Sequence, residues 1–233
     1  MDTQEGKVFL INKPLNWTSF DVVNRIRYAF RNNFDVSKRY KVGHAGTLDP
    51  LADGLLIICT GKQTKKINDY QGLEKSYTGT ITFGKTTPSY DLELEFDKEY
   101  DISDLDFEGI KKAVEEMKGE QLQYPPIFSA KKVKGKKAYD LARAGKEVKL
   151  EPRKVMISKF NIDHYDKPNL EFDITCSKGT YIRSIAHDLG QKVNSGAHLS
   201  SLRRTAIGEF KLEDAWEVDD LVKHIEAEGA KVE

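Results

Sequence analysis

Strand-like and helix-like hydrophobic patterns alternate irregularly along this chain, and that order limits its fold more than any other feature. The predicted strands cover about 7–12, 54–60, 75–83, 150–164, 170–177 and 198–210. The predicted helices cover about 19–32, a short stretch ending near Tyr70, 107–118, a stretch beginning at Thr180, and 217–227. Because no regular strand–helix–strand period connects these segments, the order favours a mixed-sheet α+β fold over a doubly wound parallel sheet.

The first helix has the clearest pattern. Thr18 or Ser19 can cap its N-terminus. Apolar residues at helical spacing then form one face, which is predicted to pack on the core: Val22, Val23, Ile26 and Phe30. By contrast, residues 84–105 are polar and acidic and are predicted to be irregular.

The composition excludes several classes of protein. Hydrophobic residues make up 39% of the chain and charged residues 32%, which is typical of a globular protein. No stretch approaches about 18 uninterrupted apolar residues, so no membrane span is predicted. The first residues also lack the basic and apolar parts of a signal peptide. Cys59 and Cys176 lie in apolar runs without disulfide or zinc spacing, and we interpret them as buried, reduced thiols of a cytoplasmic protein.

The formal net charge is zero, but the charges are unevenly distributed. Residues 131–154 contain ten Lys or Arg and three acidic residues, a net of +7, whereas residues 91–120 contain twelve acidic and four basic residues, a net of −8. A basic run is more often a solvated surface, although local positive charge is what phosphate binding requires. The reversal of sign at Lys131 predicts a small lobe over about 88–150, inserted into a single domain, with a short helix (KAYDLARAG) ending at Gly145.

The segment from Gly43 to Gly54 (GHAGTLDPLADG) concentrates reactive residues. It contains three glycines, a histidine and two carboxylates within twelve residues, between two predicted strands. The glycines permit a positive φ or the close approach of a ligand. Pro50 restricts Asp49 to an extended conformation, and such loops often display catalytic groups. An ordinary surface turn explains the same composition equally well.

A phosphate-binding loop of the Walker type is excluded. Gly61-Lys62 matches the end of that motif, but Leu56 stands at the position of its first glycine and Gln63 at the position of its Ser or Thr. The sequence also lacks a GxGxxG motif. A nucleotide hydrolase is therefore not predicted.

Further short motifs can be compared as an ordered set. They are Lys13-Pro14, the GHAGTLDP segment, Lys75-Ser76-Tyr77, Tyr124-Pro125-Pro126 with Ser129-Ala130-Lys131, the GTYIR of 179–183, the GAHL of 196–199, and Leu202-Arg203-Arg204. In this order they resemble the TruB family of tRNA pseudouridine synthases over about residues 7–210. The resemblance implies the pseudouridine synthase fold: a mixed, mainly antiparallel central sheet flanked by helices.

The resemblance implies three catalytic residues. Asp49 is similar to the family's catalytic aspartate, and a carboxylate is ionised at neutral pH and can act as a nucleophile. Arg183 resembles the arginine that pairs with this aspartate; alone, it would be interpreted as a solvent-facing residue in the first turn of a helix. Tyr77 resembles the tyrosine that stacks on the target base and helps to move a proton, while the alternative is an aromatic residue of the core.

Further residues are implied to bind the substrate. His44 resembles the histidine that fills the space left by the flipped base, although a lone histidine is more often a plain hydrogen-bonding residue. Leu202 is similar to an apolar wall of the uracil pocket, and Asp91 aligns loosely with a polar residue near the site. The other predicted substrate-binding residues are Gly43, Lys13, Lys131, Tyr181 and Arg204, with Arg203, Arg204 and the 131–154 run assigned to phosphate contacts.

The implied activity is the isomerisation of a uridine in the T-arm loop of tRNA, position 55 in tRNA numbering, to pseudouridine through base flipping. No metal or organic cofactor is expected, because the reaction has no redox or hydrolytic step. The expected partner of this monomer is the tRNA T-arm stem-loop, and no membrane is expected. Many bacterial relatives carry a C-terminal PUA-type domain, which the 233 residues leave no room for. An isolated T-arm hairpin is therefore expected to be an adequate substrate.

Two other functions stay open. The first is a pseudouridine synthase for another RNA, such as a ribosomal or guide-RNA-directed target. The second is an RNA-binding module or tRNA-folding chaperone without catalysis. Asp49, Tyr77 and Arg183 together favour catalysis, because a protein that only binds RNA has no need for a buried carboxylate beside phosphates. An Asp49→Asn substitution separates these cases.

Overall fold

A computed structural model describes residues 2–129, 132–133, 136–137 and 150–230. The chain divides into two compact units. The first unit comprises Met1–Ser76 and Arg203–Glu233, and therefore combines both ends of the chain. The second unit is the continuous segment Tyr77–Leu202.

The secondary structure of the described residues confirms the α+β class. The helices are α1 Ser19–Asn33, α2 Ile67–Gly72, α3 Phe107–Glu116, α4 Ile182–Lys192 and α5 Val218–Gly229, with 3-10 turns at Gly61–Lys66 and Leu212–Asp214. The strands are β1 Val8–Lys13, β2 Val42–Ala45, β3 Ala52–Thr60, β4 Lys75–Phe83, β5 Lys85–Thr86, β6 Lys98–Glu99, β7 Gly119–Gln123, β8 Lys132–Val133, β9 Lys136–Lys137, β10 Arg153–Asp166, β11 Asn169–Cys176, β12 Ala197–Ile207, β13 Phe210–Lys211 and β14 Trp216–Glu217. The β1–β14 pair is parallel, whereas β1–β3, β2–β3, β7–β10, β10–β11 and β12–β13 are antiparallel. The sheet is therefore mixed and mainly antiparallel, as predicted.

In the first unit, β3 lies between β1 and β2 and is buried on both faces. Leu56 and Ile58 belong to a cluster with apolar residues of α1, β1 and α5. Leu55 and Ile57 belong to a second cluster with Ile207 of β12. Since successive side chains of a strand point to opposite faces, a run such as LLIIC requires a core on each side.

Helix α1 begins as the sequence predicts. Thr18 is its N-cap: the Thr18 hydroxyl oxygen accepts from the Asp21 amide at 3.1 Å, and the Asp21 carboxylate accepts from the Thr18 amide at 2.8 Å. The predicted apolar face is buried against the first unit's core: Val22, Val23, Ile26 and Phe30. Ser19, the alternative predicted cap, does not cap α1; its hydroxyl is hydrogen-bonded to Leu48 instead.

The second unit is built on the strand order β4-β11-β10-β7. The long antiparallel pair β10–β11 is its centre, and α3 contacts both β10 and α4. Helix α4 buries Ile182, Ile185 and Leu189, at the helical spacing seen in the sequence. Cys176 at the end of β11 and Cys59 in the first unit are both buried free thiols, as predicted.

The sequence predictions missed the two-residue strands β5, β6, β8, β9 and β14 and two longer strands, β2 and β7. β2 has only four residues, and Gly43-His44 interrupts its apolar character, so no alternating pattern is visible. β7 (GEQLQ) is polar and follows the predicted helix over 107–118 without an alternating pattern, yet it pairs with β10 from Gly119 to Gln123. No helix in the described ranges is long and apolar enough to cross a membrane. The predicted lobe over 88–150 stays a prediction, and most of its KAYDLARAG helix, residues 138–145, lies outside the described residues.

Candidate active site

The segment from Gly43 to Gly54 is not one continuous loop, as the sequence suggested. Its first three residues belong to β2 and its last three to β3. Only residues 46–51 connect the two strands, whose last described pair is Ala45 with Ile57. Asp49 therefore lies in a six-residue connection between paired strands, which we call the Asp49 loop (residues 46–51).

The backbone of the Asp49 loop is fixed on both sides of the aspartate. The Ser19 hydroxyl accepts from the Leu48 amide at 2.9 Å and donates to the Leu48 carbonyl at 3.1 Å. The Asn16 amide donates to the Pro50 carbonyl at 2.8 Å, and the Ala52 amide donates to the Asp49 carbonyl at 3.1 Å. Groups before, at and after Asp49 are thus held, which limits the directions its carboxylate can take.

The glycines of this segment accommodate the protein itself. Gly46 and Gly54 have φ values of +88° and +102°, so the predicted positive φ is confirmed. A Cβ at Gly54 would lie 2.4 Å from the Arg204 carbonyl oxygen, a separation that real Cβ atoms do not reach. At Gly54, the close approach is therefore made by the backbone of β12 and not by a ligand.

Arg204 supports the Asp49 loop from below the surface. Its side chain is 1% exposed; Nε donates to the Leu55 carbonyl at 2.7 Å and Nη2 to the Gly46 carbonyl at 2.9 Å. A phosphate contact was predicted here, but a guanidinium buried on two carbonyls is a positioning group. Its neighbour Arg203 points outward and forms a bidentate pair with Asp53, at 3.0 and 2.7 Å.

Lys13 is a second buried cation of the first unit. It is 0% exposed, and Nζ donates to the carbonyls of Trp17 at 2.6 Å and Pro14 at 2.9 Å. Burial lowers the pKa of Lys13 to about 8, and the nearby Asp53 and Asp49 carboxylates oppose that shift. The predicted role of Lys13 was substrate binding, whereas its place in the structure is a buried charge in the field of Asp49.

His44 and Gly43 lie together in β2, just before the Asp49 loop. The His44 ring is half-buried, and its Nδ1 has no hydrogen-bond partner among the residues described. Burial lowers the His44 pKa, and the charge of Arg204 lowers it further, so the imidazole is neutral at pH 7. Gly43 packs tightly, because a Cβ there would lie 2.8 Å from Ile67 Cδ1.

In the second unit, Arg183 is buried near the start of α4 and does not face solvent. It is 5% exposed, and Nη1 donates to the carbonyls of Ser89 at 3.1 Å and Phe128 at 3.0 Å. Its Nε lies 3.5 Å from Asp91 Oδ2. The interpretation as a solvent-facing residue in the first turn of a helix is therefore wrong.

Asp91 is part of the same arrangement, although the sequence aligned it only loosely. Its side chain is buried, and Oδ1 accepts from the Glu93 amide at 3.0 Å. Its carbonyl accepts from the hydroxyls of Thr87 at 2.6 Å and Ser89 at 3.2 Å. The TTPSYD segment thus folds on itself around Asp91 and places a carboxylate beside Arg183.

The other predicted residues of the second unit have less specific surroundings. Gln123 binds both the amide and the carbonyl of Tyr181, at 2.8 and 3.0 Å, and the Arg153 guanidinium lies 4.9 Å from the Tyr181 ring centroid. Tyr77 is buried in β4, as a core aromatic would be, so its stacking role stays a prediction. Leu202 is half-buried in β12, and Lys131 lies outside the described residues.

The structure thus groups Asp49 with His44, Gly43, Lys13 and Arg204 in the first unit. It groups Arg183 with Asp91 in the second unit. The predicted pairing of Asp49 with Arg183 concerns different units and stays a prediction. Within the described ranges, no set of three or more His, Cys, Asp or Glu side chains is placed to hold a metal ion.

Two supporting residues were not found from the sequence. Ser19 was considered only as a helix cap, and Asn16 was not considered at all. One available clue was Thr18-x-x-Asp21, which completes a capping box and leaves the Ser19 hydroxyl for another partner.

Two family profiles match the chain. Residues 31–182 match the TruB family pseudouridylate synthase N-terminal domain, and residues 183–232 match the tRNA pseudouridylate synthase B C-terminal domain. Similar proteins named tRNA pseudouridine synthase B occur in Flavobacterium johnsoniae (50% identity, 92% of this chain and 93% of the relative) and Bacteroides fragilis (46% identity, 100% and 99%). One from Chlorobaculum tepidum is 46% identical over 99% of this chain and 95% of its own length.

The fold is also similar to that of a solved structure. A chain in the crystal structure of a Cbf5-Nop10-Gar1 complex superposes with a TM-score of 0.72 at 27% identity, over 95% of this chain. This chain spans about half of that neighbour, 54% of its length. Together, the two profiles and the near full-length relatives show that the chain belongs to the TruB family of pseudouridylate synthases.

Proposed function

We propose that this isomerase converts a uridine in the T-arm loop of tRNA to pseudouridine, with Asp49 as its nucleophile. The observation that carries the proposal is the Asp49 loop, in which the backbone before, at and after the aspartate is hydrogen-bonded. The names of the relatives, tRNA pseudouridine synthase B, support tRNA as the substrate. The fixed backbone around this aspartate supports a role in catalysis beyond RNA binding.

The reaction leaves the atomic composition of the uridine unchanged. The N1–C1′ bond breaks, the uracil rotates, and a C5–C1′ bond forms; the proton on C5 is lost and N1 gains a proton. Asp49 provides the negative charge that this rearrangement needs, either by adding to C1′ or the base or by assisting a glycal route. Water has to be excluded while the glycosidic bond is open, because water would otherwise compete for C1′.

Two cations support the role of Asp49. The buried Lys13 lies in the field of the Asp53 and Asp49 carboxylates. We assign Arg183 the pairing role that the family resemblance implies. Two backbone carbonyls and Asp91 already fix the direction of the Arg183 guanidinium, which is the preorganisation such a role requires.

Base flipping completes the proposal. Extruding a uridine from a structured loop costs a few kcal/mol, which contacts with the extruded base and with its vacated position must offset. Tyr77 is proposed to stack on the uracil. His44 is proposed to occupy the vacated position, and a neutral imidazole suits a place between stacked bases because it carries no charge to desolvate.

Tritium release from tRNA transcripts labelled at uridine C5 tests the proposal. Wild-type protein is expected to release tritium and to form pseudouridine at the T-loop position alone. Asp49→Asn is expected to reduce the rate by about 10³-fold or more, because a nucleophile has no substitute in its reaction. Asp53→Asn is the matched control: it removes a carboxylate four residues away that pairs with Arg203, and should retain activity within about tenfold.

Each failure has its own meaning. Comparable activity of Asp49→Asn and wild type would remove Asp49 from the mechanism. Tritium release from another position, or only from a different RNA, would overturn the T-arm assignment while leaving the isomerase activity. Tight tRNA binding without any release would favour the chaperone function.

A further inference from the structure

A basic cavity of about 520 Å³ lies in the first unit. Five cationic side chains line it: Arg27, Arg31, Lys38, Arg39 and Lys41. We call this space, together with its five cations, the basic cavity. Residues 25–41 contain six basic residues (25, 27, 31, 38, 39 and 41) and one acidic residue (35), a net charge of +5.

The charges of the basic cavity are not neutralised by neighbouring carboxylates. Arg25 of α1 pairs with Asp219, and Lys62 pairs with Glu5, but both lie outside the cavity lining. None of the five lining cations forms an ion pair with a carboxylate of the described ranges. Arg27 and Arg31, four residues apart on α1, repel each other, an arrangement that destabilises a helix by a few tenths of a kcal/mol. Concentrated positive charge of this kind is what an anionic ligand would balance.

The spread of the cations around the basic cavity favours a chain of phosphates over a single small anion. The cations come from α1, from the segment after it, and from the residue before β2, so they spread over several elements. Helical spacing places Phe20, Asn24, Arg27 and Arg31 on one face of α1. Phe20 is 57% exposed, with the Arg27 guanidinium 5.8 Å from its ring centroid. Exposed aromatic rings beside arginines are typical of surfaces that bind RNA.

The basic cavity is lined in part by β2, the strand that leads into the Asp49 loop. Arg27 Nη2 donates to the Val42 carbonyl at 3.0 Å, and Val42 begins the strand that leads through Gly43 and His44 to Asp49. Gly43 itself lines the cavity. At the other end of the α1 face, Phe20 follows Ser19, whose hydroxyl holds Leu48. RNA bound along this face would therefore lie next to the catalytic loop.

From these observations we propose that the basic cavity and the adjoining face of α1 bind backbone phosphates of the RNA substrate next to the Asp49 loop. The inference rests on the proposed function, because the substrate there is an RNA. It assigns Arg31, Lys38, Arg39 and Lys41 as phosphate ligands. Arg27 is assigned a positioning role, because its hydrogen bond to the Val42 carbonyl holds α1 against β2. Phosphate contacts of this kind carry no base information and strengthen binding in a salt-dependent manner.

The test compares two double variants that each remove two positive charges. Arg31→Gln with Arg39→Gln alters the cavity. Arg25→Gln with Lys223→Gln is the matched control, because both residues are exposed cations of the same unit that already pair with acids, Asp219 and Asp220. Dissociation constants for unmodified tRNA are measured over a range of salt concentrations, together with kcat and KM from tritium release.

The cavity variant is expected to reduce the slope of log K against log salt by about 1.5, since each lost phosphate contact contributes roughly 0.7–0.9. At about 0.1 M salt its affinity should fall roughly tenfold or more. Its KM should rise while kcat stays within about twofold, because these contacts are made equally with substrate and transition state. The control variant should keep the wild-type slope.

Equal slopes for the two double variants would overturn the inference. Binding of inorganic phosphate is measured in parallel by calorimetry. If the cavity variant loses phosphate binding but keeps the wild-type slope for tRNA, the cavity binds a small anion and not the RNA, which would also overturn the inference. Failure of the proposed function looks different: wild-type protein would release no tritium from tRNA, whatever the slopes show.

Discussion

Two buried arginines, one in each unit, show how the same residue type serves two purposes. Arg204 in the first unit donates from Nε and Nη2 to two carbonyls, one of them in the Asp49 loop. Arg183 in the second unit donates from Nη1 to two carbonyls, and its Nε lies beside the Asp91 carboxylate. Both are almost completely buried. Arg204 thus connects β12 to β3 and the Asp49 loop, whereas the contacts described above for Arg183 are with Ser89, Phe128 and Asp91.

The difference lies in what each guanidinium neutralises. Arg204 faces only carbonyl oxygens in the contacts described, so its charge stabilises backbone dipoles and fixes a loop. Arg183 faces a carboxylate as well, which keeps a charged partner in its surroundings. A residue that only fixes the backbone should contribute mainly to stability, and a residue that handles charge in the reaction should contribute mainly to rate.

The largest expected effect separates the two arginines directly. Arg183→Lys should lower kcat by about 10²–10³-fold, since an ammonium cannot reproduce a fork of donors aimed at several acceptors. Arg204→Lys should lower the free energy of unfolding by about 1–3 kcal/mol, because one buried carbonyl loses its donor, and should lower kcat less than about tenfold. Urea unfolding and single-turnover kinetics measure both quantities. Similar losses of kcat in the two variants would remove the distinction.

The next effect concerns how closely Arg204 packs. Gly54→Ala should destabilise the fold by about 2–6 kcal/mol, because the new Cβ would lie 2.4 Å from the Arg204 carbonyl oxygen and φ is positive. Gly46→Ala has a positive φ too, but its Cβ would meet Arg204 Nη1 at 3.5 Å and Lys75 Cε at 3.8 Å, which are ordinary contacts, so about 1–3 kcal/mol is expected. Urea unfolding of both variants measures which of them loses more unfolding free energy. A larger loss for Gly46→Ala would mean that the approach of β12 is not what requires glycine at position 54.

Much of the fold was predictable, and the arginines show where prediction stopped. β4 has the predicted bounds of 75–83, because its period-two pattern spans nine residues and is broken only at Gly79. The same period places Arg203 outward and Arg204 inward on β12, yet both were assigned to phosphates because a motif gives residue types and not strand faces. For Arg204, whose side chain is buried, the predicted strand over 198–210 already argued against a phosphate contact, whereas the assignment of the exposed Arg203 stays a prediction.

The support of the Asp49 loop was not predictable in this way. Ser19 is 29 residues from Leu48, and Arg204 is 158 residues from Gly46. No local pattern relates residues so far apart, since they meet only after the strands have paired. The family resemblance identified Asp49 and Arg183, but Ser19 and Asn16 became visible as supporting residues only through their hydrogen bonds.

A smaller effect tests whether Ser19 positions Asp49 in addition to stabilising the fold of the first unit. Ser19→Ala should lower the free energy of unfolding by about 1–3 kcal/mol and kcat about tenfold, because the Leu48 amide and carbonyl lose their partner next to Asp49. Thr18→Ala is the control: it removes the α1 cap, at about 1 kcal/mol, without touching Leu48. Equal kcat values for the two variants would show that the Ser19 contacts do not control Asp49.

The smallest effect distinguishes Arg204 from another buried cation of its unit, Lys13. Below pH 8 Lys13 is protonated in both the folded and unfolded chain, and the folded state bears the full cost of the buried charge. Between pH 8 and 10.5 the folded state releases its proton first, so that cost disappears and the unfolding free energy rises with pH. Wild type should therefore gain stability over a Lys13→Met variant across this range, measured by urea unfolding. The difference between wild type and Arg204→Met should stay flat, because a guanidinium keeps its proton throughout. A flat difference for Lys13→Met as well would mean that Lys13 is not a strained charge, and that the carboxylates of Asp53 and Asp49 fully compensate its burial.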